Sequence, residues 1–423
     1  MLPALSGERE VEDRLVPVVL GADILGYSYV RSFYDAYGIT SIVLATADVK
    51  ATSSSKFCDY RIVEDIDTAK VLLPYLDRLA DELAAQGKVG LLVGCGDWYA
   101  RILSEHKPEL SRRFYVPYID FDLLDDITQK ERFYARCEEL GIPYPKTWCL
   151  DCAAPDPAFD ADAFTYPLIA KPSNSAVYHY AEFPGKKKIF EVEDADELRV
   201  IYRNICASSY DRELIIQDFI PGPDDLMRSI TVFVDRHGEP AVVAGGRVVL
   251  QDHAPSAIGN PVCILSEHIE RAVEDACRLL KGVGYRGYAN FDVKYDSRDG
   301  SYRFFEVNTR PGRNSYYVTL GGVNFVAPIV DDFVLQRDIP HVDAFEPFVY
   351  ACVPSYVVRR SVADAGLRRQ VLDMYRSGRA HFPLANRKDS LAHAVWSFFT
   401  YMNQIPKFKR YLWDTGGKQA KAD

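Results

Sequence analysis

The stretch GYRGYANFDVKYDSRDGSYRFFEVNTRPG, residues 284–312, decides the reading of this chain. Two apolar-rich runs flank DSRDG, a connection short enough for a hairpin, so both read as strands of one antiparallel pair. Side chains alternate along a strand, so Glu306 and Asn308 share a face, and hairpin pairing brings Asp292 opposite them. Three oxygen donors gathered in this way suit a hard cation such as Mg2+, whose remaining positions fill with water and phosphate oxygens. The competing reading is a polar hairpin with one solvated face. FFEVNTRPG speaks against it, because Glu306 is set among apolar neighbours.

On the N-terminal side of this hairpin, SITVFVD (229–235) and EPAVVAGGRVVLQ (239–251) alternate or run apolar with β-branched residues, as antiparallel strands do. One helix interrupts them. SEHIERAVEDACRLLKGVG (266–284) carries apolar residues at 269, 272, 273, 276, 279 and 280, one face of a 3.6-residue period. Upstream, YPLIAKPSNS (166–175) reads as a strand presenting Lys171 from a partly buried end, a costly place for an ammonium unless an anion meets it. Alone it reads as a surface lysine with its stem on apolar neighbours. In company with the oxygen triad, the phosphate-binding reading takes over. The loop from Ser173 to Lys188, with Pro184-Gly185 and three successive lysines at 186, 187 and 188, has the composition of a lid over phosphates or of a solvated hairpin tip. Beyond it, DADELRVIYRNIC (194–206) is helical and ELIIQDFIPG (213–222) is a strand running into a turn.

The opening VPVVLGAD (16–23), the helix pattern from Ile24 to Gly38 and SIVLAT (41–46) form a βαβ unit that places a binding site near Gly21 and Asp23. A dinucleotide turn would need G-x-G-x-x-G. GADILG lacks the middle glycine, which argues against NAD. A helix over 68–86 and VGLLVGCGDWYARIL (89–103) repeat the strand, glycine turn and helix pattern. These glycine turns serve either a substrate or simply tight connections. ITQKERFYARCEELG (127–141) reads as a helix with Lys130 in its first turn and a capping box from Thr128 to Glu131. The expected fold is therefore mixed α/β (α+β), with segments 1–120, 121–222, 223–340 and 341–423, the last helical and rich in basic and aromatic residues.

Sixty acidic against fifty basic residues give a net charge of −10, which excludes nucleic acid as a first partner. No apolar run approaches the roughly twenty residues needed to span a bilayer, and the acidic start does not read as a signal peptide, so a cytoplasmic location is expected. Nine scattered cysteines fit reduced thiols, and the single C-x-x-C at 149–152 lacks the second pair a zinc site needs.

The ordered series Lys130, Lys171, a glycine-containing lid, IIQDFIPG, FDVKYD and FFEVNTRPG resembles the ATP-grasp ligases over about residues 115–330, behind a preceding domain like the pre-ATP-grasp one. The resemblance implies two α+β subdomains sandwiching ATP, with Lys130 and Lys171 on its α and β phosphates. It places Ser173, Lys186 and Lys187 in the lid. Gln217, Asp218, Phe219 and Ile220 would line the adenine, and Asp224 or Asp225 would hold the ribose hydroxyls. Asp292, Glu306 and Asn308 would bind Mg2+. Arg310, with Arg313 as a second candidate, would neutralise the γ or acyl phosphate.

Two departures stand out. Many ATP-grasp enzymes carry glutamate where Gln217 stands, so its amide must meet the adenine amino group through the carbonyl oxygen. Relatives that join D-alanine units have an arginine where this chain has Asn290, and its charge must come from Lys294, Arg228 or Arg310. Within the superfamily, GKKKIF, IQDFIPG, SAIGN, YANFDVKYDSRDG and NTRPGR are most similar to the D-aspartate ligases of peptidoglycan bridge formation. That similarity implies an ADP-forming ligase joining the β-carboxylate of D-aspartate to a lysine ε-amine of a nucleotide-linked muropeptide. The alternatives are an ATP-grasp ligase for another amino acid or peptide amine, and a regulator that binds nucleotide without catalysis. The aromatic and basic segment WSFFTYMNQIPKFKRYLW (396–413) either packs on its own domain or associates weakly with a membrane surface.

Overall fold

Leu15–Leu20 (β1) is apolar and buried at every position, the pattern of a strand covered on both faces. It pairs in parallel with Ser41–Ala45 (β2) and Val89–Gly94 (β4), and Cys58–Ile62 (β3) and Phe114–Tyr115 (β5) extend the sheet to the order β3-β2-β1-β4-β5. Helices Ile24–Tyr37 and Ala69–Ala85 supply the crossovers. The computed structural model describes residues 2, 4–156, 158–173, 178, 180–187, 189–255 and 257–414.

By compactness the chain divides into two units, one of residues 1–142, 223–293 and 306–423, the other of 143–222 and 294–305. The finer four-part organisation expected from the sequence stays a proposal. In the second unit, Thr147–Asp151 (β6), Leu168–Pro172 (β7), Phe190–Val192 (β8) and Glu213–Asp218 (β9) form a sheet ordered β6-β9-β7-β8. Helix Ala195–Cys206 covers it with Leu198, Ile201, Tyr202 and Ile205.

A third sheet runs β14-β13-β10-β11-β12-β16-β17, with one short strand, β15, beside β11. Its members are Met227–Val234 (β10), Pro240–Gln251 (β11), Pro261–Ser266 (β12), Gly287–Asp296 (β13), Ser301–Asn308 (β14), Val342–Asp343 (β15), Val349–Ala351 (β16) and Ala380–His381 (β17). Helix Glu270–Gly282 turns Ala272, Val273, Ala276, Leu279 and Leu280 inward, and Ile269 before it is buried too, as the 3.6-residue period requires. In the first unit one apolar core joins Val19 and Phe33 with Tyr288, Tyr317 and Phe348.

Two local expectations are corrected. The capping box at Thr128 does not form, because Thr128 ends helix Phe121–Thr128 and its hydroxyl donates back to Leu124 O at 2.7 Å. Gln129 instead precedes helix Lys130–Glu139, without a side-chain cap. The 341–423 segment is not purely helical either, since Val349–Ala351 pairs with β12 and lengthens the large sheet. Three residues are too short a run to show a strand period. The expected lid falls partly outside the described residues (174–177, 179 and 188), as do Ser256 of SAIGN and residues 415–423.

Asp389 ties the C-terminal region to helix Ile24–Tyr37 and to the loop before β3. Its buried carboxylate accepts from Tyr27 OH at 2.9 Å, Ser55 Oγ at 2.7 Å and the Lys56 N–H at 2.9 Å. Burial alone would raise its pKa, but the donors from Ser55, Lys56, Ser390 and Tyr27 outweigh burial and hold it below the ordinary value. A carboxyl depressed by folding stabilises above its unfolded value and loses that contribution as pH falls through the folded one. Asp389→Ala is expected to cost about 2–4 kcal/mol near neutral pH by stranding three donors. Thermal melts from pH 7 downward should show the gap to the parent protein narrowing in acid; a gap independent of pH counts against this assignment.

Candidate active site

The hairpin of β13 and β14 sets the site by simple alternation. Phe291, Val293 and Val307 are buried, while Asp292, Glu306 and Asn308 are half-buried. The expected triad does come together. The Asp292 carboxyl is pushed well above the ordinary carboxylate range, by burial first and then by the like charge of Glu306, with Arg310 and a hydrogen bond from Asn308 opposing. Two acids placed side by side, one of them made harder to ionise by the other, suit a cation, and with the Asn308 amide oxygen all three donors are hard oxygens, so the set fits a divalent ion.

Cations already stand around it. Lys130, the first residue of its helix, places Nζ 3.5 Å from Glu306 Oε2. Arg310 lies two residues past Asn308 and its Nη2 reaches to 3.5 Å from Asn308 Oδ1. The same guanidinium forks onto Asp97, Nε forming an ion pair with Oδ1 at 2.9 Å and Nη2 donating to Oδ2 at 3.0 Å. Arg313 Nε lies 3.5 Å from Asp23 Oδ2.

Both aspartates sit just past the carboxyl ends of β1 and β4, where parallel sheets present their binding turns. Asp23 also caps helix Ile24–Tyr37, accepting from the Leu25 N–H at 3.0 Å and the Gly26 N–H at 3.2 Å. The two turns touch, and Gly21 is required there. Its φ is +100°, and a Cβ at that position would sit 2.9 Å from Cys95 Cβ.

Behind the triad lies a buried polar network. Asn290 Oδ1 accepts from Thr231 Oγ1 at 2.8 Å and Ser229 Oγ at 3.3 Å. Asn314 Nδ2 donates to Ser229 Oγ at 2.9 Å and Tyr317 OH to Thr231 Oγ1 at 2.7 Å. Asn308 Nδ2 faces Asn290 O at 3.4 Å. Gly312 lets the loop after β14 close onto this network, since a Cβ there would meet Asn314 Oδ1 at 2.7 Å and Asn290 Cγ at 2.8 Å. Asn290 therefore holds the arginine loop in place instead of delivering charge.

Other expected residues take separate positions. Arg228 is buried, forms an ion pair with Glu267 at 2.9 Å and donates to Asp225 O and Met227 O. Asp225 pairs with Arg247 at 2.9 Å, and Asp224 with His253 at 3.1 Å.

In the second unit, Lys171 is half-buried on β7 and its Nζ donates to Gln217 Oε1 at 3.4 Å, while Gln217 Nε2 donates to Thr147 Oγ1 at 2.9 Å. The Gln217 carbonyl oxygen thus has a cation beside it. Lys294 Nζ donates to Ile220 O at 2.7 Å and Gly222 O at 2.9 Å and lies over the Phe219 ring at 5.8 Å, so it holds the 219–222 turn. The Asp218 carboxyl is raised by burial, against Arg298, Lys146 and Arg303. Ser173 Oγ lies 3.3 Å from Tyr210 OH, Lys186 pairs with Glu182 at 3.4 Å, and Lys187 lies over Phe190 at 6.0 Å.

The family description "Carbamoyl-phosphate synthase L chain, ATP binding domain" matches residues 130–322, a span that starts at Lys130 and contains the whole triad and both arginines. The chain is 34% identical to the D-aspartate ligase of Enterococcus faecium (strain Aus0004), over 95% of this chain and 97% of that one. It belongs to the ATP-grasp carboxylate-amine ligases. Solved structures agree on the fold. An ADP complex of N5-carboxyaminoimidazole ribonucleotide synthetase superposes with a TM-score of 0.56 at 15% identity, covering 89% of this chain and 88% of that one. The L-amino acid ligase from Bacillus licheniformis gives 0.53 at 15% identity, over 79% and 75%. This ATP-grasp ligase is thus an ATP-dependent, mixed α/β enzyme.

Sequence reasoning left Asp97 and the Asn290 network without roles. The Gly-Cys-Gly-Asp turn at 94–97 was a visible signal, but Asp97 and Arg310 lie 213 residues apart, beyond any local pattern.

Proposed function

We propose that the enzyme activates the β-carboxylate of D-aspartate with MgATP and joins it to a lysine ε-amino group of a UDP-linked muramyl pentapeptide. The observation that carries this reading is the pairing of Arg310 with Asp97 and Arg313 with Asp23 beside the triad. Two cations and two carboxylates at one place complement a small donor that itself carries two carboxylates and an ammonium. Near full-length similarity to a D-aspartate ligase supports the choice of donor.

A carboxylate is a poor acyl donor because oxide would have to leave. In the proposed reaction a β-carboxylate oxygen of D-aspartate attacks the γ-phosphorus, ADP departs, and an acyl phosphate remains. The neutral amine then attacks the acyl carbon and phosphate leaves through a tetrahedral intermediate. Lys130 and Lys171 would hold the α and β phosphates. Arg310, with Arg313, would face the charge on the transferred group. Asp292, Glu306 and Asn308 would hold Mg2+, which when bound draws charge from the phosphate oxygens. Gln217 to Ile220 would line the adenine, with Lys294 bracing that turn, and Asp224 or Asp225 would take the ribose. Arg228, bound to Glu267, would act by shaping this strand end. Ser173, Lys186 and Lys187 would belong to a lid that excludes water from the acyl phosphate. With ATP and a nucleotide-linked precursor as substrates, the reaction would run in the cytoplasm.

ADP release is expected with D-aspartate and the UDP-linked pentapeptide together, with a product heavier than the acceptor by one aspartyl residue, and not with either substrate alone. Equal turnover with D-alanine or L-serine would move the donor assignment to a sibling ligase.

A further inference from the structure

Helix Leu391–Met402 is built inside out. Its inward side is polar. His393 and Ser397 are buried, the His393 ring nitrogens lie 2.6 Å from Ala51 O and 2.6 Å from Leu384 O, and Ser390 caps the helix by accepting from the His393 N–H at 3.0 Å. Its outward side is apolar. Leu391, Val395, Phe398 and Met402 recur at i, i+4, i+7 and i+11, one continuous stripe, with Phe399 and Trp396 along its edge. Leu391 is 86% exposed, Phe398 59% and Phe399 58%. An apolar stripe of this kind, displayed by a helix fastened through hydrogen bonds on its other side, is a surface for association.

Charge decides what it associates with. Residues 386–414 hold five cations, Arg387, Lys388, Lys407, Lys409 and Arg410, against two carboxylates, Asp389, which is turned inward, and Asp414. This segment is basic in a chain whose net charge is −10. Lys407 is engaged with Asp252, and Lys388 lies 3.0 Å from Asp35, while Arg387, Lys409 and Arg410 are exposed. A second copy docked on the same stripe about a two-fold axis would set the cations flanking one helix against those flanking the other, with Asp389 turned inward and Asp414 alone in the segment to meet them. A surface of anionic headgroups neutralises them. Residues 415–423, TGGKQAKAD, contain no large apolar side chain with which to cover the stripe.

We infer that this face docks the enzyme on an anionic lipid bilayer. Leu391, Phe398 and Phe399 enter at the headgroup level, and Arg387, Lys409 and Arg410 meet lipid phosphates. The attachment is peripheral, as no described helix is long and apolar enough to cross a membrane.

The test uses the full chain and vesicles of phosphatidylglycerol with phosphatidylcholine, against vesicles of phosphatidylcholine alone. Co-sedimentation is expected with the anionic vesicles only, and is expected to weaken with added salt. Phe398→Ser with Phe399→Ser, and separately Lys409→Glu with Arg410→Glu, should each lower partitioning about tenfold while melting temperature and ADP formation stay at parent values. Anionic vesicles should shift Trp fluorescence to the blue in the parent protein and not in Trp396→Tyr. A protein that ignores anionic vesicles overturns the inference. So does one that sediments as a dimer which Phe398→Ser dissociates, because the stripe is then a protein interface.

Discussion

Glu306→Ala is expected to lower ATP-dependent ligation by about a thousandfold or more, the largest loss from any single substitution in this enzyme. Glu306 is one of two acids in the triad, and its charge already makes Asp292 harder to ionise, a repulsion that the proposed shared cation would relieve. Removing it leaves Asp292 and Asn308 as a depleted donor set and leaves Lys130, 3.5 Å from the lost carboxylate, without that partner. The fold should survive, because Glu306 is half-buried and solvent can fill its place. Two measurements separate the causes. ADP formation should collapse, and the rise in melting temperature that MgADP gives the parent protein should shrink in the variant while the ligand-free melting temperature stays unchanged. Retained turnover with Glu306→Ala would leave the enzyme's metal chemistry without its proposed ligand.

Arg310→Ala should cost about a hundredfold to a thousandfold in kcat, in the range found for removing a preorganised group that meets developing charge. Arg310 is held on both sides, by the fork onto Asp97 and by its approach to Asn308, so its guanidinium is in place before substrate arrives. Burial alone would weaken its charge, but Asp97 more than compensates and raises its basicity. Lysine lacks the planar fork, so Arg310→Lys should recover little. Asp97→Asn gives a useful contrast. It keeps the shape and removes the charge, and should raise KM for the donor amino acid more than it lowers kcat. Equal effects of Arg310→Ala and Asp97→Asn on both parameters would reduce Arg310 to a strut between segments.

Most of the scaffold was legible from local pattern. The alternation in 288–308, the 3.6-residue period in 266–284 and the strand, glycine and helix succession from Val16 each recur in the folded chain because short-range geometry dictates them. The capping box at Thr128 misled, since the preceding turn is itself helical and claims the hydroxyl. The strand at Val349–Ala351 was invisible because its stability comes from pairing with β12 rather than from its own three residues.

That Asp292, Glu306 and Asn308 share one side of a hairpin follows from local pattern alone, because a period of two and a short loop leave them nowhere else to go. Long-range packing is what sets Arg310 and Arg313 against Asp97 and Asp23, puts Asn290 in a buried network, and turns the apolar side of helix Leu391–Met402 outward. These are contacts between residues far apart in the chain. Which charges meet there depends on how whole sheets and helices pack, and no local spacing carries that information.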